Sequence, residues 1–265
     1  DLLRFKGEGS YTRFPCEFYG VGADTPDSGR EKYTPVYFPA KPALLVKTIG
    51  SLYAGPVYDF RYERIEKTER GGVLRRGDMY GSKTAASSGF GGMLVYDTRD
   101  NPMYPAGGAY VEASAIRYAK GAGGDFDFTK EKFDMRTYFA FGDTVLCAQG
   151  IVSAVTGDAP FYYIPSLGGD SEGLRGYYNG RHIDRRLALV QLEYRFPLFW
   201  RFGMAVFAGA GEVAHSFRDF GEHPRAAGGA GIRFAIDREQ KINLRFDSTY
   251  NGHEFYQYVN ILESF

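Results

Sequence analysis

The sequence predicts an all-β fold, a single up-and-down antiparallel β-barrel of about twelve strands that crosses a membrane. Three observations lead there. Apolar residues recur at every second position throughout the chain, the connections alternate between tight turns and long loops, and aromatic residues crowd one of the two faces.

Period two is clear in several stretches. In "INLRFDSTY", Ile242, Leu244 and Phe246 alternate with Asn243, Arg245 and Asp247. In "PVYDFRYER", Tyr58, Phe60 and Tyr62 alternate with Asp59, Arg61 and Glu63. "FDMRTYFAF" sets Phe133, Met135, Phe139 and Phe141 against Asp134 and Arg136, and "GIRFAI" sets Ile232, Phe234 and Ile236 against Arg233. "ALVQLEYRF" sets Ala188, Val190, Leu192, Tyr194 and Phe196 against Gln191, Glu193 and Arg195. No window sustains the three-and-four spacing of a helix. Strands are expected at 1–10, 36–50, 52–66, 88–98, 107–119, 128–141, 144–156, 183–196, 201–214, 226–237, 240–250 and 254–265. No linker or shift of composition divides them, so residues 1–265 are expected to form one barrel domain.

The connections run long, short, long, short. "GD" and "REQ" are tight, whereas "KGAGGDFDF", "HSFRDFGEHPR" and above all the region of "LGGDSEGLRGYYNGR" are extended. Such lopsidedness belongs to outer-membrane barrels. An even strand number leaves both termini on the short-turn side, expected to be periplasmic, with the long loops extracellular. A soluble lipocalin-like or sandwich protein gives the same alternation with the faces exchanged. The membrane reading is preferred because one face is rich in Phe and Tyr, and because the polar face is expected to be arginine-rich and nearly lysine-free, as suits paired charges in a confined lumen.

Composition narrows the function classes. Formal charge is zero, with 32 basic and 32 acidic residues, so no long-range field favours nucleic acid. No stretch is long and apolar enough for a transmembrane helix, and no part of the chain is expected to be a signal peptide; Asp1 reads as a mature or trimmed terminus. Cys16 and Cys147 lack metal-ligand spacing, and a single bridge between them stays open. No metal or cofactor is expected. A phosphate cradle in the glycine-rich loop would need a helix after it and a Gly-Lys-Ser/Thr, and neither occurs. A twelve-stranded outer-membrane phospholipase would need a Ser, a His and an orienting group together. The four histidines, His182, His215, His223 and His253, fall in or beside loops, and His182 near Asp184 and Asp170 is the best of them. A passive pore is a third reading, and so narrow a lumen is expected to conduct poorly.

Several passages, taken in order, resemble one family, the barrel of the BamA/TamA superfamily (the bacterial surface-antigen domain). These are "FYGVG" (Phe18 to Gly22), "YDTRDNPMYPAGGAYVE" (Tyr96 to Glu112), "GGAGIRFAI", "KINLRFD" and, most specifically, "GLRGYYNGR" with five strands after it. The resemblance implies a non-catalytic barrel acting in outer-membrane protein or lipid assembly or translocation. Its partners would be outer-membrane lipids and client outer-membrane proteins, and a homo-oligomer stays open. It also implies that the long extracellular loop folds into the lumen through a signature made here by Gly168, Gly169, Leu174, Arg175, Gly176 and Tyr177. Arg175 would meet an acid of the inner wall, Glu193 by position, among the lumenal side chains Arg195, Arg233, Arg245 and Asp247. The family's second acid falls at Gly209, a departure for which Asp247 is a candidate substitute. The ending "FYQYVNILESF" resembles a C-terminal β-signal carried by Val259, Ile261 and Phe265 on one face, interrupted by Glu263. In two further departures, the family's assembly factors have sixteen strands and carry POTRA modules ahead of the barrel. A weak seam is expected between the first strand, glycine-rich at "KGEGSY", and the last.

Overall fold

The computed structural model describes residues 2–170 and 172–265; Asp1 and Ser171 lie outside the described residues. Fourteen strands form one antiparallel sheet: β1 (Leu3–Gly9), β2 (Thr12–Arg13), β3 (Cys16–Phe18), β4 (Glu31–Ile49), β5 (Leu52–Thr68), β6 (Ala85–Asp97), β7 (Gly108–Tyr118), β8 (Phe128–Phe141), β9 (Thr144–Gly157), β10 (Arg186–Phe199), β11 (Phe202–Ala214), β12 (Arg225–Asp237), β13 (Ile242–Tyr250) and β14 (Phe255–Ile261). From β4 onward each strand pairs with its sequence neighbours. The three short segments β1 to β3 all pair with β4, from Leu3↔Val46 to Phe18↔Glu31, so they are one line of strand broken twice. Pro15, which has no N–H to give a ladder, stands at the second break. The sheet therefore has twelve lines, all up-and-down.

Most elements coincide with the alternating stretches, and the departures have identifiable causes. β4 begins at Glu31 rather than 36 because the ladder passes Pro35 by a register shift between Thr34 and Pro35. β10 runs past Pro197 by a similar shift and ends at Phe199, while residues 183–185 belong to the preceding loop. β14 stops at Ile261 instead of 265, because Leu262 takes a left-handed φ of 72° and its N–H bonds the carbonyl of Asn243. Gly50 and Gly142 open two-residue hairpin turns with positive φ, and so does Trp200. The Asp-Thr-Arg-Asp-Asn-Pro passage is a capped turn. Asp100 accepts main-chain N–H bonds from Asn101, Ala106 and Gly107, and Asn101 accepts them from Met103 and Tyr104.

The faces identify the solvent on each side. Along β10, Gln191 and Glu193 are 3% and 0% exposed, while Val190 and Leu192 between them are 55% and 51% exposed. The same holds for Asp247 against Phe246, and for Arg233 against Ile232. Charge inside and aliphatic or aromatic side chains outside is the reverse of a soluble barrel. At the short-turn end Phe199, Trp200, Phe202 and Phe234 pack ring on ring in an outer aromatic cluster, the composition of a membrane girdle.

Two expectations about the lumen need correction. It is not nearly lysine-free: Lys6 meets Glu112 across the interior, Lys132 lies 2.7 Å from Glu172, and Lys41 and Lys130 line the same cavity. Nor is it polar throughout. Its β4–β9 side holds a packed core of Leu45, Tyr53, Val57, Met93, Val95, Ile116, Tyr118 and Phe128. Cys16 and Cys147 are free thiols, so no bridge joins them.

The facing predicts that a charge on the outer wall is costly. Leu192→Arg, at the middle of β10, should destabilise the bilayer-folded protein by about 2–4 kcal/mol, as measured by denaturant unfolding from lipid vesicles. Equal stability of variant and parent would mean that this wall does not meet lipid.

Candidate functional site: the plug loop and the seam

The longest connection, between β9 and β10, enters the lumen in two halves. The first half, Phe161–Tyr163, is a single 3-10 turn whose rings continue the apolar core. Tyr118 and Phe128 stack at 4.1 Å, and Tyr163 packs edge-on against Tyr118 at 4.9 Å. Both tyrosine hydroxyls donate to one carboxylate: Tyr118 to Asp59 Oδ2 at 2.8 Å and Tyr163 to Asp59 Oδ1 at 3.0 Å. This anchor was not singled out in the sequence, where Asp59 reads as one lumenal charge among many and its tyrosines lie 59 and 104 residues away.

The second half, Leu167 to Ile183, crosses β10 to β14. Leu167 and Leu174 face each other through a main-chain bond of 2.6 Å and lie buried on the inner wall. Gly168 and Gly173 stack backbone on backbone; a Cβ on Gly168 would stand 2.1 Å from the carbonyl oxygen of Tyr178. Gly169 makes the bend between them, at φ 141°. Gly176, at φ 103°, turns the chain where a side chain would strike Ala227 and Thr249, and its N–H bonds the Tyr258 hydroxyl at 2.8 Å. Tyr177 is buried and donates to the Ala226 carbonyl at 3.0 Å.

Between these residues Arg175 points at the wall. Its Nη1 lies 2.7 Å from Glu193 Oε2 and 2.9 Å from Asp247 Oδ2, and all three side chains are buried. Its guanidinium carbon sits 3.6 Å from the centre of the Phe207 ring, so an aromatic face covers the plane that no oxygen reaches. The two carboxylates are shared with three more arginines. Arg195 Nε donates to Glu193 at 2.7 Å, Arg245 Nη1 to Asp247 at 2.6 Å, and Arg233 bonds Asp247 and stands 3.5 Å from Glu193. Glu263 accepts from Arg233 at 3.0 Å and Asp170 from Arg245 at 2.5 Å. Four guanidiniums thus meet four carboxylates, which offsets the desolvation that a lone ion would suffer here.

Gly209 stands where the resemblance expects an acid, and the packing shows why none fits. A Cβ there would lie 2.8 Å from Leu174 Cδ1 and 2.9 Å from Gln191 Cγ. Asp247, two strands further on, brings the second carboxylate, and Gly231 leaves room for it: a Cβ at Gly231 would come within 1.9 Å of Asp247 Oδ1. The β11 glycines Gly209 and Gly211 form the floor on which Leu174 and Leu167 of the plug rest.

The ladder is not closed. Among the described residues β1 and β14 exchange no ladder hydrogen bonds, and each presents a free edge. Both edges are instead tied to the plug. From the β14 side, Tyr258 accepts from Gly176, Asn251 donates to the Gly176 carbonyl at 2.8 Å, and Asn260 and Ser264 bond Asp170. From the β3 side, Gly22 bridges Ile183 at 2.8 Å, the main-chain N–H of Glu17 bonds the Tyr178 hydroxyl at 3.1 Å, and Arg181 holds Thr25 and Asp27.

The residues resembling a C-terminal β-signal do not share one face. Val259 and Ile261 point outward and are more than 60% exposed, but Phe265 is 4% exposed and sits inside against Tyr138, Val145 and Cys147. The turn at Leu262 reverses the parity, and the carbonyl of Phe265 accepts from Arg195 at 2.7 Å. Glu263 does not interrupt a lipid-facing series; it belongs to the lumenal ion pairs.

His182 is not grouped with Asp184 and Asp170. Asp170 is engaged by Arg245 and Asn260, while His182 lies edge-on to Tyr177 at 5.7 Å with its Nδ1 unpartnered. Burial, with Arg181 and Arg225 nearby, lowers its pKa from 6.5 to about 4.

Twelve antiparallel lines, an apolar exterior, an ion-paired lumen and a loop inserted into it define a plugged transmembrane β-barrel. Residues 36–249 match the Omp85 superfamily domain, and the chain belongs to that superfamily. No curated protein matches the chain. Among solved structures it is similar to BamA from Haemophilus ducreyi lacking POTRA domains 1-3, at a TM-score of 0.67 and 13% identity over 97% of this chain and 57% of that one. It is also similar to CdiB from Escherichia coli, at a TM-score of 0.58 and 12% identity over 98% of this chain and 48% of that one. The chain thus spans about half the length of these structures, and the likeness is one of fold.

Two outcomes follow from the site. Arg175→Ala leaves three guanidiniums for four buried or half-buried carboxylates, and should cost about 3–5 kcal/mol, seen as a lower temperature for loss of the compact, heat-modifiable band on gels; an unchanged temperature would remove Arg175 from its structural role. The second concerns His182. An unfolded chain takes up a proton below pH 6.5 that the folded one refuses until about pH 4, so this residue's contribution makes stability fall as pH drops through that window. His182→Gln should flatten that part of the pH profile of unfolding and leave the profile above pH 7 unchanged.

Proposed function

We propose that this chain is an outer-membrane barrel with its short turns and both described ends towards the periplasm and its long loops outside, acting without catalysis in the assembly or translocation of outer-membrane proteins or lipids. The observation that carries this reading is the unladdered seam. A free β-edge in a membrane leaves N–H and C=O groups without partners, and a strand from a client can satisfy them by edge addition. The β1 line is poorly suited to close the sheet by itself. It is broken after Gly9 and again at Pro15, and its ladder partner among the described residues, β4, carries Pro35, Pro39 and Pro42, each lacking a donor. Membership of the Omp85 superfamily supports the same reading. The inserted plug supports this reading over a passive pore: aromatic packing narrows one side of the lumen and the Arg175 ion pairs the other, so clients would pass by way of the seam and the surrounding lipid.

The test is a reversible closure. With Cys16 and Cys147 replaced by serine, one cysteine is placed in Leu3–Gly9 and one in Phe255–Ile261, facing across the seam. Oxidation should abolish insertion of a client barrel into vesicles carrying the protein, and reduction should restore it. Full activity in the oxidised, verifiably crosslinked state would reject a seam-based mechanism.

A further inference from the structure

At the long-loop end the two edges of the seam stand apart and form the walls of a cavity of about 760 Å³. One wall is β3 with the segment after it, contributing Glu17 and Tyr19. The other is the β13–β14 connection with the start of β14, contributing Asn251 and Tyr256. The floor is the plug, with Tyr177, Tyr178 and His182. The size is that of a small-ligand site, but the lining is not that of an apolar one. Among the described residues around it there is no aliphatic side chain, and four tyrosines interleave with charges of both signs. Arg30, Arg181 and Arg225 face Glu17, Asp24, Asp27 and Glu254, so a simple anion would gain no net field there. Such a mixture fits a ligand that presents both C–H faces and hydroxyls. Ring faces attract the weakly positive C–H edge, while carboxylates accept and guanidiniums donate to hydroxyls, which do both.

His182, 4% exposed, completes the floor beneath the tyrosines and backs the Tyr177 ring, against which it packs edge-on at 5.7 Å.

We infer that this cavity is a glycan site, taking a polyhydroxylated sugar unit between the tyrosines of the plug and the two walls of the seam. Because the walls belong to opposite edges, a sugar touching both binds the closed arrangement more tightly than a parted one, and so favours closure at this end. The inference stands apart from what the seam transports, since it rests on the lining alone.

The same chemistry could come from a free saccharide or from the head of a glycolipid, and the experiment separates them. The full chain is folded into detergent micelles and titrated calorimetrically with core oligosaccharide released from lipopolysaccharide. It is separately reconstituted into vesicles with and without intact lipopolysaccharide. Saturable binding of the free oligosaccharide supports a site for soluble glycan; binding only of the intact molecule, absent with sugar-free phospholipid vesicles, supports a membrane-presented one. In either case Tyr256→Ala and, independently, His182→Ala should weaken binding at least tenfold, with the heat-modifiable folded band retained. No saturable binding of either probe, equal response to sugar-free vesicles, or unchanged affinity in both folded variants would overturn the proposal.

Discussion

The ion-paired half of this barrel depends on one desolvated cation. Arg175 leaves water to sit 2.7 Å from Glu193 and 2.9 Å from Asp247, on β10 and β13 respectively. A guanidinium in that position is tolerable only if the carboxylates stay where they are, and they stay because Arg195, Arg233 and Arg245 hold their remaining lone pairs. Removing any one member leaves its neighbours charged and buried. The network therefore acts as a unit, and it fixes the second half of the plug relative to three strands, β10, β12 and β13, at once.

The other half of the plug is held by different physics. Tyr163 brings its ring into an aromatic core and its hydroxyl to Asp59, a carboxylate already engaged by Tyr118. Apolar packing dominates near β4 to β9 and ion pairing near β10 to β14, with the loop as their common partner. Superfamily membership and the inward loop are thus expressed in this chain by two anchors of unlike character, the first of them without a sequence signature.

Much of the barrel is legible from alternation because a membrane demands it: one face must be apolar, the other is confined, and β8 begins and ends where the pattern does. Which acids face inward follows from parity. Which arginine each acid meets does not, since Asp247 and Arg175 are 72 residues apart and only the curvature of the sheet joins them. Prolines misled at Pro35 and Pro197, because bulges let a ladder continue past a missing donor. Phe265 misled for a related reason, a single left-handed residue at Leu262 that exchanges inside for outside. The lumenal lysines of β8 follow the same parity, since Lys130 and Lys132 precede Asp134 and Arg136 at every second position, whereas Lys41 lies among the prolines of β4 and Lys6 in the glycine-rich first strand.

The way both seam edges are tied to the plug also sets an order in time. From β4 to β14 every ladder forms between strands adjacent in sequence, so the sheet can grow hairpin by hairpin with little loop-closure cost. The bonds from Glu17 to Tyr178 and from Thr25 to Arg181 span 161 and 156 residues, and they cannot form until the loop has reached the lumen. Tying the two edges of the sheet together through the plug therefore carries a loop-closure cost that the hairpin ladders do not.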